Sequence, residues 1–598
     1  MTPAIVILSP SALPTARRIS TAIGGDVHGL RTRVEAEISF DDTKAHIRKL
    51  FAKGVPIIGV MASGALIRLL APVLDDKQNE PPVIAVADDG SAVVPLLGGH
   101  HGANDLARTI ADLLVVDAAV TTAGDVRFRV ALDAPPPGFT LTNPHHAKAF
   151  MADLVAGAAV RLEGAADWLA QSQLPFDEAA RHRIIVTHQA VKGDANTLVY
   201  HPRDLVLGIG CERGASPVEV QNLIQRVLAE NHIAKESLSG VCSIDLKADE
   251  TAILETAEWL GVPFRVFDAA TLEAELPRLK NPSEIVFSEV GCHGVAEGAA
   301  LAGAGPQGHL IVEKTKSKRA TCAVAQAPDV VTELPGRARG TLFVVGIGPG
   351  SEEWRSPQVT GMVGKATDLV GYSLYLDLLG NLADGKARHD FALGKEEDRV
   401  RHAMELAGEG RTVALVCSGD AGIYAMATLV YELIDKDGVS DAAKCIEVVN
   451  APGISALQAA AARAGAPLGH DFCTISLSDL LTPWDDIQRR VRAAGEGDFV
   501  IAFYNPVSKK RRTQLAWARD ELLRHRPEDV PVILATNLGR DGEIVRIVPL
   551  VELQVDDVDM LTVVIVGSSD SKTVTTGDGR TWVYTPRGYS GKQGTEMQ

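Results

Sequence analysis

"LFVVGIGPGSEEW", residues 342–354, is a short apolar strand that breaks into a glycine-rich loop. A dinucleotide-binding loop needs glycines at three set positions and backbone N–H groups aimed at the pyrophosphate. Here Gly346, Gly348 and Gly350 recur every second residue, and Ser351 stands where the third fingerprint glycine belongs. Pro349 takes a donor out of the turn, because its nitrogen carries no hydrogen. No Gly-Lys-Ser/Thr follows, which excludes a P-loop. The loop brings backbone close to a ligand while offering few donors, which suits a ligand without phosphates, S-adenosylmethionine being one. A tight strand-to-helix turn with no ligand explains the loop alone equally well.

The chain has 598 residues, enough for several domains, and its apolar fraction of 46% supports ordinary cores. Its seven cysteines, Cys211, Cys242, Cys292, Cys322, Cys417, Cys445 and Cys473, form no C-x-x-C pair. Neither a zinc site nor an iron–sulfur cluster of ordinary spacing is encoded, no metal is expected, and the thiols read as reduced residues of a cytoplasmic protein. The opening "MTPAIVILSPSALPTARR" reads as a first strand and not as a signal peptide. No apolar run reaches membrane-spanning length, so no membrane partner is expected. A net charge of −17 argues against general nucleic-acid binding, and an acidic ligand must find a local basic patch.

Runs such as "VPIIGV", "PVIAVA", "LVLGIG", "TVALVCSG", "PVILATN" and "LTVVIVG" alternate with Ala-rich helical stretches, which predicts a multidomain α/β chain with largely parallel sheets. A first block runs to about Val120, and then three consecutive prolines, residues 135–137 in "ALDAPPPGFTLTNP", mark a break. "QAPDVVTELPGRARG" reads as an exposed linker, and the polar end from Thr573 onward as a loosely ordered tail. In "TVALVCSGDAGIYAMATLVYEL", Asp420 falls at the carboxyl end of a strand, where open α/β sheets place ligands. In "IEVVNAPGISALQAAAARAGAPLGHDFCTISLSDLLTPW" a strand ends at Pro452-Gly453 and a helix starts near Ser455, a suitable N-cap.

Taken in this order, these segments resemble the tetrapyrrole methyltransferase family over residues 341–570. "SGDAGIYAMA", "YNPVSKKRR" and "TNLGRDGE" are similar to the precorrin-3B C(17)-methyltransferases of cobalamin biosynthesis. The family more often reads Gly-Asp-Pro where this chain has Gly419-Asp420-Ala421. The resemblance implies two α/β lobes with S-adenosylmethionine between them, a corrinoid polycarboxylate substrate, C-17 methylation and ring contraction. It places the cofactor against Gly346, Gly348, Pro349, Gly350, Gly419, Asp420, Ala421, Pro452, Gly453 and Ser455. The substrate falls to Ser478, Lys509, Arg511 and Arg540, with His470 and Asp479 as candidate catalytic groups.

Methyl transfer from a sulfonium asks mainly for orientation and a dry cleft, whereas ring contraction needs proton transfers. His470, Asp471, Ser476, Ser478 and Asp479 lie in the segment facing the substrate, and the sequence leaves acid and base unassigned among them. The basic run Lys509, Lys510, Arg511 and Arg512 offers a carboxylate grip, although four successive helical residues cannot all face one cleft. A solvated helix face is the alternative.

The earlier blocks carry a second resemblance. "GVMASGALIRLLAPVLDDKQNEPPVIAVADDGSAVVPLLGGHHGANDLA", "LVLGIGCERGASPVEVQNLI", "CSIDLKADE" and "GCHGVAEGAALAGAGPQGHLIVEKTKSKRATCAVA" are similar to the cobalt-precorrin-5A hydrolase family, which opens a ring lactone and releases acetaldehyde. The expected organisation is 1–125, 126–203 and 204–327 as hydrolase-like α/β regions, 328–340 as linker, 341–572 as methyltransferase and 573–598 as tail. His100 and Asp105 in "GGHHGAND" are the candidate hydrolytic base, with cap and turn duty as the rival for Asn104 and Asp105. Lys314, Lys316 and Lys318 would line one face of a strand and grip carboxylates, or be solvated edge lysines. Competing readings are a corrinoid carrier for the first half, methylation at another ring carbon for the second, and, more distantly, a Rossmann oxidoreductase. A homodimer is expected, with other cobalamin-pathway enzymes as candidate partners.

Overall fold

A computed structural model describes residues 2–74, 80–121, 127–508 and 511–587, apart from the side chain of His100. Six sheets organise the described residues. The first runs Ile38–Phe40, Val27–Leu30, Ala4–Ile7, Ile57–Val60, Val83–Val86 and Val93–Leu97; only the last strand is antiparallel to its neighbour. A four-stranded sheet follows, with Phe139–Leu141 antiparallel to Thr197–Pro202 and the parallel strands His182–Val186 and Val160–Glu163 beyond. The third sheet orders Phe264–Phe267, Leu238–Ile244, Leu205–Cys211, Ala320–Gln326 and His309–Lys316, parallel in its first three strands and antiparallel in the last two.

From Thr341 the chain builds a parallel sheet in the order Ala387–Phe391, Asp368–Tyr372, Thr412–Cys417, Thr341–Gly346 and Glu447–Ala451. Its central strands read as unbroken apolar runs because helices cover both faces, Glu396–Gly408 on one side and Pro357–Lys365 on the other. The next sheet departs from the expected parallel pattern. It orders Phe472–Ser476, Val500–Tyr504, Thr562–Val566, Pro531–Thr536 and Ile544–Pro549, and only its first pair is parallel. Burial on both faces makes a central antiparallel strand such as "TVVIV" as uniformly apolar as a parallel one, so hydropathy does not report strand direction.

Two boundaries differ from expectation. The stretch expected as an exposed linker is a staple: Leu334 is buried, and Arg337 and Val266 exchange backbone hydrogen bonds of 2.8 and 2.9 Å. The Arg337 guanidinium then donates to the Gly408 carbonyl, and Arg339 donates to the carbonyls of Cys445 at 2.9 Å and Ile446 at 3.0 Å. These arginines tie the third sheet's domain to the sheet that follows it. Nor is the described end a loose tail. Lys572–Thr575 and Thr581–Tyr584 form a hairpin whose second strand pairs with Gly465–Ala466, and Val583 enters the core beside Leu457 and Ala460. One inward residue, Val583, docks the hairpin, and that signal is invisible in a Thr- and Gly-rich composition. No helix among the described residues is long and apolar enough to cross a membrane.

Candidate active site

Strands Thr412–Cys417, Thr341–Gly346 and Glu447–Ala451 are neighbours, so their carboxyl ends deliver three loops to one place. Gly348 and Gly419 bond to each other through both backbone groups, each with positive φ, +79° and +69°. A Cβ on Gly346 would lie 2.6 Å from the Gly419 carbonyl oxygen and 2.8 Å from the Gly453 nitrogen. The alternating glycines therefore let three loop backbones touch. Asp420 fastens the assembly: one carboxylate oxygen accepts from Gly422 N–H at 2.8 Å, the other from Gly453 N–H at 3.0 Å. Ser455 caps the helix Ala456–Ala464 in a capping box with Gln458. Ala421 is buried in the adjoining core, and Pro452 is exposed beside Gly453.

The second lobe supplies the facing wall. Arg540 reaches across to donate to the Pro349 carbonyl at 2.7 Å and the Ser418 hydroxyl at 3.0 Å, and a Cβ on Gly350 would meet its stem. Burial holds this guanidinium below its ordinary pKa. Arg540, expected to grip substrate, spends two donor groups fastening the loop that begins "GIGPG". Arg511 is buried and donates to the Ser478 hydroxyl at 3.2 Å and the Asn505 carbonyl at 3.0 Å. Asp479 lies 3.9 Å from Arg511 and accepts from Gln514 at 3.0 Å. Ser478, Asp479 and Arg511 thus come together as expected residues of one wall. Lys509 and Lys510 lie outside the described residues.

His470 does not join them. It precedes the strand Phe472–Ser476, whereas Ser478 and Asp479 follow it, so the strand's length of roughly 17 Å separates them. The His470 side chain is mostly exposed, with Asp471 at 3.5 Å. His100 and Asp105 are misplaced for the same kind of reason. Their loop follows Val93–Leu97, the antiparallel strand, and so falls at the amino ends of the parallel strands, where Gly98 packs on Pro81. Asp105 is exposed and pairs with Arg108 at 2.8 Å. Gly102, not Asn104 or Asp105, is the N-cap of the helix Ala103–Leu114. Lys314 gives its ammonium to the Asn281 carbonyl at 2.5 Å, and an irregular register between Val312 and Thr315 breaks the single lysine face.

Residues 341–554 match the family profile for tetrapyrrole (corrin/porphyrin) methylases. A precorrin-3B C(17)-methyltransferase from Sinorhizobium is 45% identical over 252 residues, covering 42% of this chain and 98% of that protein. The chain belongs to the tetrapyrrole methylase family. Residues 45–125 and 205–325 match the N-terminal and C-terminal profiles of cobalamin synthesis G. The cobalamin biosynthesis protein CobIJ of Mycobacterium tuberculosis is 43% identical over 266 residues, and the chain covers 43% of itself and about half, 51%, of that protein. Among solved structures, the methyltransferase CobJ is 39% identical, with 41% of this chain and 100% of that one covered, at a TM-score of 0.38.

In this tetrapyrrole methylase the sequence left one group of wall residues unnoticed. Tyr424 has a positive φ of +51°, rare for a bulky residue, and its hydroxyl donates across the lobes to the Thr474 carbonyl at 3.0 Å. Its ring lies 5.2 Å from that of Tyr504, whose hydroxyl accepts from Leu457 N–H at 3.1 Å. Arg463 lies over Trp354 at 4.5 Å. A tyrosine inside "GDAGIYA", a glycine-bearing turn, was the available signal.

Proposed function

We propose that the tetrapyrrole methylase region transfers the methyl group of S-adenosylmethionine to C-17 of a precorrin-3B-type tetrapyrrole, with ring contraction, and that the preceding half hydrolyses a corrinoid lactone. The observation that carries the first part is the three-loop knot of Gly346–Gly350, Gly419–Asp420 and Gly453. The Asp420 carboxylate stands in this knot, and the guanidinium that reaches its first loop, Arg540, is already engaged by Pro349 and Ser418. Such a site suits a cationic sulfonium and not a phosphate. S-adenosylmethionine supplies an already activated methyl group when bound there. The chain's own part is to hold the loops rigid, to keep the cleft dry with Tyr424 and Tyr504, and to orient a polycarboxylate against the Ser478–Arg511 wall.

The similarity to cobalamin synthesis G over 45–125 and 205–325 supports the hydrolase part. The test is to incubate the full chain with S-adenosylmethionine and either the cobalt-containing or the metal-free trimethylated precursor. A mass gain of one methyl, located at C-17, is expected with one of them. Methylation elsewhere on the ring, or none with either, overturns the reading.

A further inference from the structure

We propose that His293, held by Glu273, is the general base of a second active site, at the carboxyl end of the sheet formed by residues 205–326, and that its substrate is a lactone. This rests on reading the first half as a hydrolase, and it moves the hydrolytic centre away from the His100–Asp105 loop.

Topology makes the first argument. Strands Leu205–Cys211, Leu238–Ile244 and Phe264–Phe267 are parallel neighbours, so their carboxyl ends share one edge of the sheet. Open α/β sheets bind ligands at that edge. The first strand leads into Glu212 and Arg213, the second into Asp245 and Lys247, and the third into the helix Ala269–Glu273. The helix Val295–Ala304 begins there too, since a Cβ on Gly210 would lie 3.4 Å from Val295. His293 stands two residues ahead of that helix, among the strand ends.

Geometry makes the second. The His293 backbone N–H donates to one Glu273 oxygen at 2.9 Å, and its Nδ1 lies 2.9 Å from the other. Phe287 stacks on the imidazole at 4.4 Å. A carboxylate on Nδ1 fixes the tautomer and leaves the lone pair on Nε2, the arrangement of a general base. Nε2 has Glu284 at 3.5 Å, and that carboxylate is 89% exposed and free to turn into water. Glu273 and Glu284, from the two helices flanking the ring, raise the imidazole above its ordinary pKa.

Cys292 is buried and its thiol pushed up, and burial raises Cys211 to about 11, so neither neighbouring thiol is poised to attack. Water is the nucleophile of the step. Nε2 takes a proton from water as its oxygen bonds to the lactone carbonyl carbon; the acyl C–O bond then breaks, and the leaving alkoxide takes the proton back from the imidazolium. Lactone plus water becomes a hydroxy acid, with no other reactant.

The experiment uses the full chain with a lactone-bearing cobalt corrinoid, following the hydroxy acid by mass, with methyl transfer measured on the same samples. The parent should hydrolyse the lactone, and His293→Gln should lose about 100-fold or more of that rate while methyl transfer stays within twofold. Glu273→Gln should fold and keep partial activity, with the acid limb of its pH–rate profile moved to lower pH, which a purely structural pair would not do. Hydrolysis by His293→Gln within threefold of the parent, or an unmoved acid limb in Glu273→Gln, overturns the assignment of His293 while leaving the hydrolase reading intact. A parent that binds the lactone without turnover overturns the hydrolase reading and this proposal together.

Discussion

Gly348 and Gly419 exchange both of their backbone hydrogen bonds, N–H to carbonyl at 3.2 Å in one direction and 2.8 Å in the other, joining the ends of two neighbouring strands in a bridge one residue long. The glycine spacing in "GIGPG" is thus a requirement of loop-to-loop packing. A Cβ on Gly348 would face Trp354, 3.1 Å from its carbonyl oxygen.

Gly346→Ala and Gly419→Ala separate crowding from backbone strain. Gly419 has positive φ but nothing nearer than 3.8 Å to an added Cβ, so alanine there costs about 1 kcal/mol of strain. At Gly346 the Cβ would press on the Gly419 carbonyl at 2.6 Å, and the loops must part, at about 1–3 kcal/mol. Calorimetry should show S-adenosylmethionine binding falling at least tenfold in Gly346→Ala and much less in Gly419→Ala, with circular dichroism unchanged in both.

Arg511→Ala should destabilise the second lobe by about 2–3 kcal/mol, because the Ser478 hydroxyl and the Asn505 carbonyl lose a charged donor. Ser478→Ala, which removes one of those bonds, should cost about 1 kcal/mol. The melting transition of the full chain reads both. Equal effects would mean that Arg511 acts elsewhere.

Val583→Ala should lower stability by about 2 kcal/mol through two buried methyl groups and the space they leave. Ending the chain at Lys572 should cost more, since it also removes the Thr585 hydroxyl that donates to the Pro467 carbonyl at 2.6 Å. A truncated chain melting like the parent would return residues 573–587 to the status of a tail.

His46 carries a pH prediction. Burial first, then the charges of His28 and Lys49, lower its pKa to about 4, and its Nε2 lies 2.9 Å from His28 Nδ1. Between the ordinary value of about 6.5 and 4, the unfolded chain takes up a proton that the folded chain refuses, so stability is full above 6.5 and declines as pH falls toward 4. Hydrogen exchange in the helix Thr43–Ala52, corrected for intrinsic rate, should report easier opening at pH 5 than at pH 7. His46→Gln should abolish most of the difference.

The sequence by itself determined the α/β class, the order of the apolar strands, the three loops with their glycines and Asp420, and the cap at Ser455. Each rests on local chemistry: a run buried on both faces, a backbone that must pass close to another, a hydroxyl placed to accept from a helix N–H. The tertiary structure alone decided which end of a strand each polar residue occupies. His470 and Asp479 are nine residues apart in one segment, yet a strand places them at opposite ends of its sheet. His100 and Asp105 read as a site until Val93–Leu97 proved antiparallel, which put them at the amino ends of the parallel strands. Tyr424, the Arg337 staple and the docked hairpin at Val583 escaped notice for a related reason. Hydropathy along a chain records which residues leave water, whereas the direction of the neighbouring strand and the identity of a distant partner are properties of the packed whole.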